Sequence, residues 1–252
     1  MHLPTPESPP DSPAQRDADR RRLLRAFNLS LAFVLVLLAV FSAQGQFDAG
    51  RWSVQPWAWQ SWRGLLAAPL LHGSMEHLAA NAISLLLLGT LAGAVYPRAT
   101  LRALPLLWLG SGLGAWLLGD VGSHHLGASG VTHGLMFLVF WLGLLRRDRP
   151  AIAAAMIAFL LYGGMLLTVL PREAGISWQS HLGGAVGGAI GALLWRRLDP
   201  MPARKRYSWE DDETAIAALD DELEAPAPRD VPVLWQRQPE ERGVVLRFPR
   251  RD

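Results

Sequence analysis

Apolar residues of this 252-residue chain are concentrated in six long, nearly uncharged blocks that are separated by polar connections. A helix rises about 1.5 Å per residue, so blocks of this length suit a hydrocarbon core about 30 Å thick. The predicted spans are residues 23–43, 78–95, 101–118, 130–145, 151–170 and 176–195. A signal peptide does not explain the first block, because it is too long and further spans follow. The pattern therefore predicts an all-α membrane protein with a bundle of six transmembrane helices.

The two ends of the chain differ in composition from the apolar blocks. Residues 1–22 are rich in proline, serine, aspartate and arginine, and residues 199–252 combine an acidic stretch with prolines and arginines. Segments of this kind cannot bury a core and are typical of disorder. We therefore predict a disordered N-terminal tail over 1–22, a six-helix domain over 23–198 and a mostly disordered C-terminal tail over 199–252.

Arginine is concentrated on one side of the predicted membrane. Three alternate connections contain only Arg51, Arg63 and Arg172, whereas the two tails and the other two connections hold most of the basic residues. By the positive-inside rule, both termini are cytoplasmic and the start of the fourth span faces the outer side. We therefore expect a multi-pass protein of the cell (inner) membrane.

Composition excludes several kinds of chemistry. The chain contains no cysteine, which excludes disulfides, thiolate metal sites and a cysteine nucleophile. The net charge is only +2, and the arginines flank apolar blocks instead of forming one basic face. This distribution argues against nucleic acid as a partner and leaves the lipid bilayer as the expected environment.

A Gly-x-Ser-Gly run opens the fourth span, with Ser129 between Gly127 and Gly130. Glycines on both sides let the backbone turn tightly and approach a substrate closely. A serine at a helix N-terminus lies beside unpaired N–H groups and the positive end of the helix dipole. The run is suited to a nucleophile and an oxyanion, although a plain serine cap at a helix start also fits it.

Polar residues of three predicted spans lie at one depth. Ser129, His181 and Asn81 lie 17, 15 and 17 residues before the arginine that follows their spans. These separations place all three side chains roughly 22–25 Å above the inner boundary of the core. His77 lies one turn before Asn81, and His133 lies one turn after Ser129. Polar residues inside spans are candidates for function, so this layer is the predicted site.

The residue types in this layer suit serine chemistry. A neutral imidazole can take the proton of a serine hydroxyl, so Ser129 and His181 are the predicted nucleophile and base. No acidic residue lies at that depth on the fourth or sixth span, which predicts a dyad and not a triad. The predicted oxyanion donors are the Ser129 N–H, the His77 imidazole and the Asn81 amide. The small residues after His181, including Gly184, predict close packing of the sixth span.

These motifs resemble those of the rhomboid intramembrane serine proteases. That family has a histidine and an asparagine in its second span, Gly-x-Ser-Gly opening its fourth, His-x-x-Gly in its sixth and a Trp-Arg pair in its first outer loop. The matching residues here are His72, His77, Asn81, Gly127, Ser129, Gly130, His181, Gly184, Trp62 and Arg63. The resemblance covers about residues 23–198.

The resemblance implies a six-helix serine endopeptidase that cuts other membrane proteins near the outer interface, without a metal or cofactor. It implies supporting roles for the remaining matched positions, His72, Gly127, Gly130 and Gly184. The partners would be membrane-protein substrates, and the resemblance does not indicate an oligomeric state.

Two positions depart from the family pattern. The family often has an acidic residue near the end of its second span, but segment 89–93 contains none. The position one turn after the serine, often aromatic in the family, is His133. This pattern resembles the rhombosortase branch, which is thought to process proteins with a C-terminal glycine-rich sorting tail. We expect His133 to stack on His181 or to tune it, and His124 and His125 to lie in a loop at the aqueous rim.

Two other classes of protein stay open at this point. Six of the seven histidines fall in the membrane region, as in a membrane protein that binds haem or a metal through histidine. However, no two histidines lie one turn apart on one helix, since His77 is followed one turn later by Asn81. The other class is a rhomboid-like protein that binds membrane partners without cutting them. Such proteins usually lack the serine or the histidine, and both are present here.

Overall fold

The computed structural model describes residues 13–171 and 175–199, and the regular structure in this part of the chain is helical. The α-helices are α1 (Pro13–Ala43), the single-turn α2 (Gly64–Ala67), α3 (Met75–Val95), α4 (Pro97–Leu118), α5 (Ser129–Arg146), α6 (Arg149–Tyr162) and α7 (Trp178–Trp195). Extended pairing within the described residues is limited to one isolated bridge between Val54 and His125. The prediction of an all-α protein is confirmed.

Five helical segments of the described chain are long and apolar enough to cross a membrane. They are Pro13–Gln46, Met75–Val95, Pro97–Leu118, Ser129–Arg146 and Arg149–Leu166. The sixth predicted span corresponds to α7, whose first turn carries Gln179, Ser180 and His181 and is less apolar for that reason. All three of these side chains are buried, and α7 packs between α4 and α5. The chain is a multi-pass membrane protein with a helical bundle.

The N-terminal helix begins earlier than the sequence indicated. Helix α1 starts at Pro13, so the prediction of disorder is wrong for residues 13–22, while residues 1–12 lie outside the described part. This stretch adds turns to a long apolar helix that already exists, so it does not have to nucleate a helix of its own. An exposed ion pair between Arg22 and Asp19, at 2.7 Å, stabilises the added turns slightly.

The fifth predicted span ends sooner than expected. Helix α6 stops at Tyr162 and continues as a short 3₁₀ turn, Gly163–Leu166, so the prediction of a helix to residue 170 is wrong. Two consecutive glycines weaken an α-helix at this point, because glycine loses more backbone entropy than other residues. The non-α-helical segment after the turn includes Thr168, which contributes to the site described below.

Helix α7 contacts both of its neighbours backbone to backbone. The paired positions are Gly183 with Gly110 and Gly114 of α4, Gly184 with Gly130 of α5, and Gly188 with Gly134 of α5. A Cβ atom at Gly184 would collide with the carbonyl oxygen of Gly130. Small residues four apart allow this close approach, which membrane helices use because lipid provides little hydrophobic force between them.

The segment after α7 is tied to the bundle by Asp199. Its carboxylate accepts hydrogen bonds from the backbone N–H groups of Arg98 (3.0 Å) and Ala99 (2.9 Å) at the start of α4. The Arg146 guanidinium of α5 donates to the Asp199 carbonyl oxygen at 2.7 Å. Asp199 is buried, so the predicted start of the C-terminal tail at this residue is wrong. A carboxylate at a helix N-terminus pairs with free N–H groups, and residues 200–252 lie outside the described part.

We expect Asp199→Ala to lower the free energy of unfolding by about 1–2 kcal/mol, because α4 loses its capping carboxylate. The measurement is the Tm of the purified protein in detergent. Asp48→Ala is the matched control, since Asp48 caps only an exposed 3₁₀ turn. Equal Tm values for both variants would contradict the capping role of Asp199.

Candidate active site

Ser129 and His181 meet at the starts of two helices. Ser129 is the first residue of α5, and His181 lies in the first turn of α7. The Ser129 Oγ atom lies 2.9 Å from Nε2 of His181, within hydrogen-bond distance. The structure thus brings the predicted nucleophile and the predicted base together, 52 residues apart in sequence. This separation is in the range required for proton transfer between a hydroxyl and an imidazole.

The carbonyl of Thr168 determines how the His181 ring is protonated. His181 Nδ1 lies 3.0 Å from the Thr168 carbonyl oxygen, which can only accept a hydrogen bond. Nδ1 must therefore carry the proton, and Nε2 of the neutral ring presents its lone pair to Ser129. The carbonyl occupies the place that a carboxylate has in a soluble triad.

Sequence analysis missed Thr168, because it considered only acidic side chains on the fourth and sixth spans. The available signal was one threonine near the end of the otherwise apolar fifth span. Polar residues at such positions are functional candidates in membrane proteins. The backbone carbonyl itself gives no signal in a sequence.

His133 lies directly against His181. The two rings are stacked, with centroids 3.8 Å apart and planes 11° apart. Nδ1 of His133 donates to the Ser129 carbonyl oxygen at 2.6 Å, and Nε2 accepts from the Thr168 hydroxyl at 2.8 Å. The Thr168 hydroxyl lies farther, 3.2 Å, from the carbonyl of Met165. His133 therefore contacts both members of the pair, but its Nε2 is directed to Thr168 and not to Ser129 Oγ.

The two candidate oxyanion residues of α3 lie beside the loop that precedes Ser129. Asn81 is buried, and its side-chain amide donates to the His77 carbonyl at 3.0 Å. The His77 ring packs on Gly127, which has a φ of +117° and leaves no space for a Cβ atom. Within the described residues, neither side chain hydrogen-bonds to Ser129. Their suitability for oxyanion binding rests on this position beside the loop.

His72 contacts the same loop through a backbone hydrogen bond. It is fully buried, and its Nε2 accepts a long hydrogen bond of 3.4 Å from the Ala128 N–H. Its ring meets the His77 ring edge-on at 5.0 Å. Burial and the neighbouring His77 lower the pKa of His72 from 6.5 to about 4. The ring is therefore neutral near pH 7 and can accept the backbone hydrogen bond.

Of the two histidines expected at the aqueous rim, His124 is exposed, but His125 is buried, and the expectation is wrong for His125. His125 is buried, and its backbone forms the bridge with Val54. Its ring nitrogens lie 2.6 Å from Ser177 Oγ and 2.8 Å from Ser123 Oγ. Burial lowers the pKa of His125, so the neutral ring joins the loop before α5 to the residue that precedes α7. Two adjacent histidines in a loop look alike in sequence, and only the hydroxyl partners distinguish them.

The described residues do not include a group of three or more histidine, cysteine, aspartate or glutamate side chains placed to hold a metal ion. All four ring nitrogens of His133 and His181 instead lie within hydrogen-bond distance of protein atoms. This arrangement gives no support to the interpretation as a histidine-ligated haem or metal protein.

Comparison with protein families matches residues 58–197 to the Rhomboid domain, which is more than half of the chain. Relatives include uncharacterized protein Rv1337 of Mycobacterium tuberculosis and uncharacterized protein Mb1372 of Mycobacterium bovis. Each is 34% identical over 205 residues, which cover 77% of this chain and 85% of the relative. Uncharacterized protein ML1171 of Mycobacterium leprae is 37% identical over 139 residues, 52% of this chain and 55% of the relative. The matched range contains every candidate site residue named above.

We expect Gly127→Ala to disturb the site more than an alanine substitution at another glycine with a positive φ. The new Cβ atom would lie 2.5 Å from Cε1 of His77, and φ is positive. Gly122→Ala is the matched control, because Gly122 also has a positive φ but has open space around it. Both variants should lose roughly 1–2 kcal/mol of stability from the backbone. Only Gly127→Ala should react more slowly with a fluorophosphonate probe directed at Ser129, and equal labelling rates would contradict the proposed contact.

Proposed function

Because the chain belongs to the rhomboid family, whose members are generally intramembrane serine proteases, we propose that it is a serine endopeptidase that cleaves transmembrane segments of other membrane proteins. The observation that carries the proposal is the 2.9 Å separation of Ser129 Oγ and His181 Nε2, with Nδ1 held by the Thr168 carbonyl. Hydrolysis is favoured over a purely binding role, because both reacting groups are present and correctly oriented.

In the proposed mechanism, His181 takes the proton of Ser129 while Oγ attacks the scissile carbonyl carbon of the substrate. The resulting imidazolium, held by the Thr168 carbonyl, gives its proton to the leaving amine as the peptide bond breaks. A water molecule then attacks the acyl-enzyme ester, with His181 again as the base. This second step releases the acid product and restores the Ser129 hydroxyl.

The proposed oxyanion donors are the Ser129 N–H, the His77 imidazole and the Asn81 amide. Ser129 begins α5, so its N–H has no partner within the helix and lies at the positive end of the helix dipole. The second N–H of the Asn81 amide is not used by its bond to the His77 carbonyl. The His77 ring packs on Gly127, two residues before Ser129.

His133 is proposed as a positioning residue and not as the base. Its stacking on His181 and its bond to the Ser129 carbonyl restrict the relative motion of the two rings and of the first turn of α5. A direct role as the base would require Nε2 to leave Thr168, to which it lies 2.8 Å away.

The proposed location is the cell membrane, with both termini cytoplasmic and the site opening to the outer side. The support is the positive-inside distribution of arginine and the position of Ser129 and His181 at the helix ends opposite Arg146 and Arg196. Processing of C-terminal sorting tails, as in the rhombosortase branch, is the alternative specificity. His133 favours it, and cleavage of a reporter with a glycine-rich tail would distinguish the two.

We expect Ser129→Ala and His181→Ala each to abolish cleavage of a transmembrane reporter by the purified protein. The double variant should be no worse than either single one, because the two residues act as a unit. Ser84→Ala is the control, since it removes another buried hydroxyl from the membrane region and should leave turnover nearly unchanged. Robust turnover by Ser129→Ala would refute the assignment of the nucleophile.

We expect His133→Phe to keep measurable activity, whereas His181→Phe should have none. The phenyl ring preserves the stacking but loses both hydrogen bonds. Removing the residue that orients a metal-ligating histidine costs about 10- to 100-fold, and we expect a loss of similar size here. The loss should fall on kcat and leave KM nearly unchanged, because His133 would not touch the substrate. Activity in His181→Phe together with none in His133→Phe would reverse the two roles.

A further inference from the structure

A groove whose lining includes no residue of α7 lies between α1, α3, α4 and α5. Its cavity has a volume of about 500 Å³, with α1 and α4 as walls and α3 and α5 as the floor. This volume falls in the range of about 300–1,000 Å³ that is typical of small-molecule sites. Helix α1 packs on α3 through small contacts, Ala26 on Gly93 and Ser30 on Gly89. The rings of Phe33 and Trp108, 5.8 Å apart, close one end.

Along most of its length the groove is lined by apolar side chains. They include Leu29, Leu85 and Leu104 from three different helices. The hydroxyl of Thr100, which also lines the groove, is buried and has no hydrogen-bond partner within the described residues. Apart from the arginines at one end, the polar side chains of the lining are those of Ser30 and Thr100, so most of the lining suits a hydrocarbon chain.

The other end of the groove is basic. Arg21, Arg22 and Arg25 line it, and the described lining includes no acidic residue. Arg22 pairs with Asp19, whereas Arg21 and Arg25 have no acidic partner in the described part of the chain. Basic pockets between transmembrane helices are typical binding sites for the headgroups of anionic lipids.

The length of the groove matches one leaflet of a bilayer. Arg25 and Phe33 are eight residues apart on α1, which corresponds to about 12 Å along the helix. Half of the hydrocarbon core is about 15 Å thick. A substrate helix would have to cross both leaflets, but the contact of Phe33 with Trp108 closes the space between α1 and α4 near mid-depth. One acyl chain fits this geometry, and a spanning helix does not.

We propose that this groove binds an anionic glycerophospholipid, with its phosphate at Arg21 and Arg25 and one acyl chain along the groove. The chain would end against Leu135 in the second turn of α5, about 9 Å along that helix from Ser129. The bound lipid is then a structural ligand that supports the helix carrying the candidate nucleophile. This inference does not depend on proteolytic activity.

The test measures binding of phosphatidylglycerol and of phosphatidylcholine with identical acyl chains to the delipidated full-length protein in detergent, by native mass spectrometry. Phosphatidylglycerol should bind more tightly. Each arginine near an anionic headgroup strengthens binding about fivefold, so Arg21→Gln combined with Arg25→Gln should weaken it about 25-fold. The matched control combines Arg98→Gln and Arg102→Gln, two exposed arginines at the same end of the bundle that do not line the groove. This control should change binding less than threefold.

A second pair of variants tests the acyl chain. Leu29→Trp and Leu101→Trp each place a larger side chain in the groove at a position that is more than half exposed, so folding should be preserved. Both should weaken binding of phosphatidylglycerol at least tenfold while the Tm without lipid stays near that of the unmodified protein. Equal affinity for the two lipids, equal losses in the two arginine pairs, or no effect of either tryptophan would each overturn the proposal. Equally tight binding of free glycerol 3-phosphate would also overturn it, because the chain would then contribute nothing.

Discussion

The backbone contact between α5 and α7 is the constraint on which the site depends. Gly184 lies so close to Gly130 that any side chain would separate the two helices. Because α5 begins at Ser129 and His181 lies in the first turn of α7, this contact determines whether the two side chains meet. Glycine contacts with α4 on the opposite side prevent α7 from moving away. Lipid provides little force that would draw helices together, so small residues and close packing must do so.

The same packing creates a buried polar network in which the ring nitrogens of His133 and His181 all have partners. His133 and His181 both donate from Nδ1 to backbone carbonyls, those of Ser129 and Thr168. Unpaired polar groups are costly in a region of low dielectric constant, so these bonds stabilise the fold. They also leave Nε2 of His181 as an acceptor facing the serine hydroxyl. The requirement to satisfy buried groups and the requirement for a proton acceptor are therefore met by one arrangement.

At the opposite end of the bundle, charged groups add further links between the helices. Asp199 joins the end of α7 to the start of α4, and Arg146 connects α5 to the same residue. Helix α1 is outside this arrangement and packs mainly on α3. The closely packed centre of α4, α5 and α7 thus differs from the α1 side, where the groove provides space for the proposed lipid chain.

Much of the architecture follows from the sequence alone, because long apolar blocks in a bilayer have to form helices that satisfy their own backbone. The shared depth of Ser129 and His181 followed from helix rise, and the glycine spacing indicated which helices approach closely. Tertiary structure alone decided the role of the Thr168 carbonyl, since every residue carries a carbonyl and only the chain path after α6 directs this one to the site. It also decided the burial of His125 and the capping by Asp199, whose partners lie 52 and about 100 residues away. Such partners are joined by packing between distant segments, which local hydrophobicity and periodicity do not encode.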